Sequence, residues 1–133
     1  TAKFATPGVN IGLFCSTPML ALSRNVSKKE AMKMLLTGDM IDAVEAKRIS
    51  LINDYVSDDK LEESVNNLAL KISKKSSMTI KTGKEAFYKQ AEMSLSDAYE
   101  YTSMVMAHNT LEEDAKEGIS SFIEKRDPNW QDN

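Results

Sequence analysis

From Phe4 to Ser23 the chain reads FATPGVNIGLFCSTPMLALS, without one charged residue, although 28% of the sequence is charged. A run of this length is long enough to cross a bilayer as a helix. Pro7, Gly8, Asn10, Gly12, Ser16, Thr17 and Pro18 interrupt it, however, and would leave backbone groups that hydrocarbon cannot satisfy. The stretch is therefore predicted to be buried within protein, broken by turns, lining a pocket or packing on a sheet. Pro7-Gly8 is a turn signal, because proline presets φ and glycine is free to take a positive one. A ligand is expected close to this segment.

The remaining totals narrow the class. A chain of 133 residues holds one domain with a true core more comfortably than two. The net charge is -3, with both signs mixed throughout, so the basic face of a nucleic-acid binder is missing. No membrane span is predicted. Cys15 is the single cysteine and has no internal disulfide partner. With no visible signal peptide, that points to a reducing compartment, cytoplasmic or, in a eukaryote, mitochondrial, and not to secretion. The chain begins at Thr1 rather than at methionine, and almost no strand signal follows the opening stretch. Both features suggest a piece of something larger.

Read in order, residues 3–5 end a short strand and Val9 to Ile11 alternate briefly. A helix is predicted over 17–24, with Pro18 in its first turn and Met19, Leu20 and Leu22 buried. Ser27 and Glu30 form a capping box that starts a helix stopped by Gly38. Asp42 and Glu45 form a second box, opening a short helix over 43–48, after which 51–56 reads as extended. Ser57 is predicted to cap a longer helix with Leu61, Val65, Leu68, Ala69 and Ile72 on one stripe. Ser76 or Ser77 starts the next helix, with Ile80, Phe87 and Ala91 on one side and Gly83 allowing close approach. Ser94 and Asp97 open another, whose broad apolar cover from Leu95 to Met106 predicts burial on two sides. The last helix is expected over 111–126, ended by Pro128.

Few residues here suggest chemistry unaided. Cys15 with His108 could act as nucleophile and base, but nothing around Cys15 would lower its pKa, and it reads better as a small buried hydrophobe. His108 reads as a helix-end residue meeting the last carbonyls. With one cysteine and one histidine, zinc is set aside. Glu112, Glu113 and Asp114 read as exposed acids complementing a helix N-terminus. Phe122 and Lys125 stand at i, i+3, a pairing able to hold a flat heterocycle and a phosphate. Composition alone favours Phe122 as core and Lys125 as solvated surface.

The order of motifs changes that weighting. FATPGVNIG at 4–12, LSR at 22–24, AMKMLLTG at 31–38, IDAVEA at 41–46, LINDYV at 51–56 and KEGISSFIEKR at 116–126 occur in sequence. Together the chain resembles the C-terminal half of the enoyl-CoA hydratase/isomerase (crotonase) family. The resemblance implies an α/β parent fold, a spiral of ββα units followed by C-terminal trimerisation helices. This mostly α-helical chain would then comprise the end of the spiral (1–56) and the helical region (57–133). It further implies an acyl-CoA thioester as substrate, no separate cofactor, and assembly into homotrimers or dimers of trimers. An oxyanion hole, lying upstream of this chain, would stabilise an enolate.

By the same resemblance, Phe122 and Lys125 match positions that, in the family's trimers, reach a neighbouring subunit's bound CoA near its adenine end. Gly8 matches the position of a catalytic glutamate, so no catalytic acid is expected here. Ser16 lies where dienoyl-CoA isomerases carry an aspartate. Pro7, Gly8, Phe14 and Ser16 are expected to line the pocket. Ser50 stands where many members have glycine. A non-catalytic CoA-binding or assembly protein on the same fold is the alternative function, and an unrelated helical bundle a weaker one.

Overall fold

The computed structural model describes residues 1–132 and forms two compact units, Thr1–Val65 and Asn66–Asn133. In the first, β1 (Lys3–Phe4) pairs antiparallel with β2 (Ile41–Asp42), Lys3 opposite Asp42 and Phe4 opposite Ile41. Between them lie a 3-10 turn (Pro7–Ile11), α1 (Ser16–Asn25) and α2 (Lys28–Thr37). Helix α3 (Ala43–Arg48) follows β2.

Both expected N-caps form, while the Glu30 and Glu45 carboxylates turn to Arg48 instead of closing the boxes. The Ser27 hydroxyl accepts from the Glu30 N–H at 3.3 Å, and the Asp42 carboxylate from the Glu45 N–H at 2.9 Å. Each satisfies an orphan donor of the first turn, at about 1 kcal/mol per cap. Gly38 ends α2 in the left-handed conformation, φ 65°. The core joins Leu22 and Val26 to Ala31, Met34 and Leu35 of α2 and to Ile49. Cys15, Met19, Ile41 and Leu51 pack around it.

Several expectations fail locally. Val9 to Ile11 belong to the 3-10 turn, not to an extended segment. Proline at the head of a five-residue turn, with Gly12 closing it at φ 76°, favours tight winding over a strand. Leu20 is exposed, because α1 buries only Leu22 fully, with Met19 half-buried. Residues 51–53 form bends and 54–56 carry no regular structure, rather than a strand. Ser57 makes no side-chain cap; a 3-10 turn (Asp58–Lys60) intervenes before α4 (Leu61–Ser73).

The boundary between the units falls within α4. Its apolar stripe is intact in sequence, yet none of its residues is buried. In the second unit, α5 (Ser77–Gln90) and α7 (Glu113–Glu124) each pack against α6 (Leu95–Leu111). Ser76 caps α5 and Ser94 caps α6, each accepting an N–H three residues on. The expected two-sided burial of α6 is not seen: Ala98 is buried, while Leu95, Tyr99 and Met106 remain exposed. Phe87 is likewise exposed, and nothing approaches the position of a side chain on Gly83. Among the described residues no helix is long and apolar enough to cross a membrane.

Candidate functional site

Two places carry the residues singled out in the sequence. The first is the opening stretch. A backbone hydrogen bond from the Leu13 N–H to the Gly8 carbonyl, 2.9 Å, folds the 3-10 turn back on itself. The Gly8 N–H donates to Cys15 Sγ at 3.2 Å. A Cβ on Gly8 would lie 2.6 Å from the Leu13 carbonyl oxygen and 2.7 Å from Cys15 Sγ. Glycine is therefore required here by space, and the thiol occupies the room next to it. Cys15 is a half-buried packing residue against the core. His108 is exposed in the last turn of α6.

Beside this turn lies an open cleft of about 660 Å³, with Phe4, Thr6, Pro18, Leu22, Met34 and Leu51 among its walls. Pro7, Gly8, Phe14 and Ser16 do not line it. Pro7 opens the 3-10 turn and is exposed, Gly8 is half-buried within it, and Phe14 is exposed. Ser16 starts α1, its hydroxyl donating to the Phe14 carbonyl at 3.3 Å. Among the described residues no carboxylate side chain borders the cleft. Thr6, which the sequence did not single out, is buried there with an unpartnered hydroxyl.

The second place is the end of α7. Phe122 is 84% exposed, so its reading as core is overturned. Lys125 is not on the helix face. It follows the last helical residue, Glu124, in the left-handed conformation with φ 57° and ψ 40°. The Arg126 N–H returns to the Ser121 carbonyl at 3.0 Å, and the Lys125 N–H to that of Phe122 at 3.3 Å. This is a Schellman motif with lysine at the place usually held by glycine.

The segment after it is tied down. The Arg126 guanidinium grips Glu117 through both carboxylate oxygens and also donates to Glu124 Oε2 at 2.6 Å. Glu117 Oε1 accepts the Asn129 N–H at 2.7 Å as well. Trp130 donates its indole N–H to the Lys74 carbonyl at 2.8 Å. Asp114, expected to be solvated, is 1% exposed. Its carboxylate accepts the N–H groups of Gln131 and Asp132, at 2.7 and 3.1 Å. The returning tail explains the burial, and sequence reading had treated Pro128 only as an end of structure.

These contacts hold the acids ionised. Arg126 first, then the Asn129 N–H, lower the Glu117 pKa from 4.5 to about 2. The Ser76 hydroxyl, outweighing desolvation, and the two tail N–H groups lower that of Asp114. Glu117 and Glu124 in turn raise that of Arg126. Among the described residues no group of three or more His, Cys, Asp or Glu is placed to hold a metal ion.

Comparison with known proteins gives the fold its class. A crystal structure of an enoyl-CoA hydratase from Mycobacterium smegmatis superposes with a TM-score of 0.93 at 43% identity, over 97% of this chain and 50% of that one. That of human enoyl-CoA hydratase domain-containing protein 3 gives 0.92 at 45%, over 97% and 51%. The fold is thus that of the crotonase-like enoyl-CoA hydratases. The profile described as Enoyl-CoA hydratase/isomerase matches residues 1–133, and the chain belongs to that family. It is 47% identical over 129 residues to the mitochondrial enoyl-CoA hydratase domain-containing protein 3 of Xenopus laevis, covering 97% of this chain and 44% of the relative. The human form is 45% identical, with 43% of its length covered. The chain spans less than half the length of these curated relatives.

Proposed function

We propose that this chain is the C-terminal part of an acyl-CoA-processing enzyme of the hydratase/isomerase type. The observation that carries the reading is family membership along the whole chain. In this reading the thioester oxygen sits in an oxyanion hole upstream of Thr1, where fixed N–H dipoles stabilise an enolate as it forms. The opening stretch forms part of the pocket wall, with Pro7, Gly8, Phe14 and Ser16 facing the acyl-CoA once the upstream part is present. Phe122 and Lys125 bind the adenine end of CoA; the bare exposure of Phe122 supports a role for the ring outside this chain's own core. The working form is a homotrimer or a dimer of trimers, cytoplasmic or, in a eukaryote, mitochondrial like the relatives named above. The isolated chain lacks the oxyanion hole and is inactive.

Water addition across a double bond ordinarily uses two carboxylates. Gly8 removes one, and its surroundings leave no room for a side chain. The full-length protein should therefore hydrate crotonyl-CoA slowly while still binding it. Rapid hydration in a spectrophotometric assay would overturn this. The same observation favours the second reading, a CoA-binding or assembly protein that kept the fold without the acids. Acidic residues upstream, placed at the α and β carbons of the thioester, would decide for an enzyme.

A further inference from the structure

Lys125 occupies a backbone conformation that costs a non-glycine residue free energy, in a motif where glycine is the usual choice. A side chain retained at such a place points to use of the side chain itself. What stabilises the turn lies immediately beside it. Glu117, on the same helix about two turns before its end, accepts both the Arg126 guanidinium and the Asn129 N–H. It thereby fixes the residue directly after Lys125 and the tail three residues beyond. Its side chain is 21% exposed and that of Arg126 41%, so this is a surface pair whose bidentate geometry fixes direction as well as adding attraction.

We infer that Glu117 is a positioning residue for the nucleotide end of CoA. Through Arg126 and Asn129 it holds the left-handed turn from which the Lys125 ammonium extends, three residues past the exposed ring of Phe122. This rests on the reading that Phe122 and Lys125 bind CoA. Preorganisation is the physical gain: a lysine on a fixed turn loses less freedom on meeting a phosphate than one on a frayed helix end. Asp114 and Trp130 act further out, anchoring the same tail to Ser76 and Lys74.

The test uses the full-length protein and two probes, butyryl-CoA and butyryl-pantetheine, which lacks the nucleotide. Binding is measured by titration calorimetry for Glu117→Gln and for Arg126→Lys, which keeps the charge but cannot grip two oxygens together. Each variant should weaken butyryl-CoA about tenfold and leave butyryl-pantetheine unchanged, with the double variant no worse than either single one. Equal weakening of both probes would mean general loss of structure and overturn the inference.

Lys125→Gly separates the two levels, since glycine keeps the turn and removes the ammonium. It should raise the unfolding midpoint while weakening butyryl-CoA. If Lys125→Gly and Phe122→Ala both leave butyryl-CoA binding intact, the binding reading itself falls. If they weaken it and Glu117→Gln and Arg126→Lys do not, only the positioning role falls.

Discussion

A Cβ on Gly8 would meet a backbone oxygen at 2.6 Å and a thiol at 2.7 Å, contacts closer than real Cβ atoms make. Gly8→Ala should therefore destabilise the full-length protein by about 1–3 kcal/mol, as overpacking does, measured by denaturant unfolding. Adding Cys15→Ala should recover only part of that loss, because the Leu13 carbonyl remains. Ser50 is the opposite case. It holds φ 64°, a left-handed conformation that favours glycine, so Ser50→Gly should stabilise by about 1 kcal/mol in the same measurement. The sequence marked Gly8 as a turn glycine but could not show the steric reason for it, which needs the Leu13–Cys15 fold-back. In the same way, Asp114 looked like any helix-end acid until the tail returned to cover it.

Among the elements, α2 and α3 were legible in detail, since the N-caps of both and the Gly38 stop of α2 agree with the structure. Gly38 adds a long-range reason for its glycine: a Cβ there would lie 2.9 Å from the Asn10 side chain. The end of α7 was less legible. Glu117 and Arg126 lie too far apart in sequence for any helical pairing rule, and they meet only because the chain reverses after Lys125. That ion pair has a pH signature. Both Glu117 and Asp114 have depressed pKa values in the folded state. Their stabilising contribution is complete above the ordinary carboxylate range and is lost as pH falls, for Glu117 between 4.5 and about 2. Trp130, the single tryptophan, reports the tail directly. Its emission should shift to the red through that window, and Glu117→Gln should show the shifted emission already at pH 7.

At the scale of the molecule, the uncovered apolar surface is the dominant feature. Leu61, Val65, Leu68 and Ile72 form a continuous stripe on α4, each about half exposed. A monomeric soluble protein rarely leaves such a band bare. The isolated chain should self-associate at micromolar concentration, and Leu68→Lys with Ile72→Lys should shift its sedimentation toward the monomer. Unchanged sedimentation would place the contact elsewhere, on α6 for instance. The sequence revealed the stripe but not its covering, because periodicity tells which residues share a face and not what lies against it. Motif order, by contrast, carried the family, and both the fold and the family profile agree with it. The packing around Gly8 also limits what this turn can accept. A side chain could enter only together with changes at Cys15 and in the backbone path of Leu13, because both lie within 2.7 Å of where its Cβ would be. The turn is thereby closed to substitution one residue at a time, with the Cys15 thiol as a plug beside Gly8.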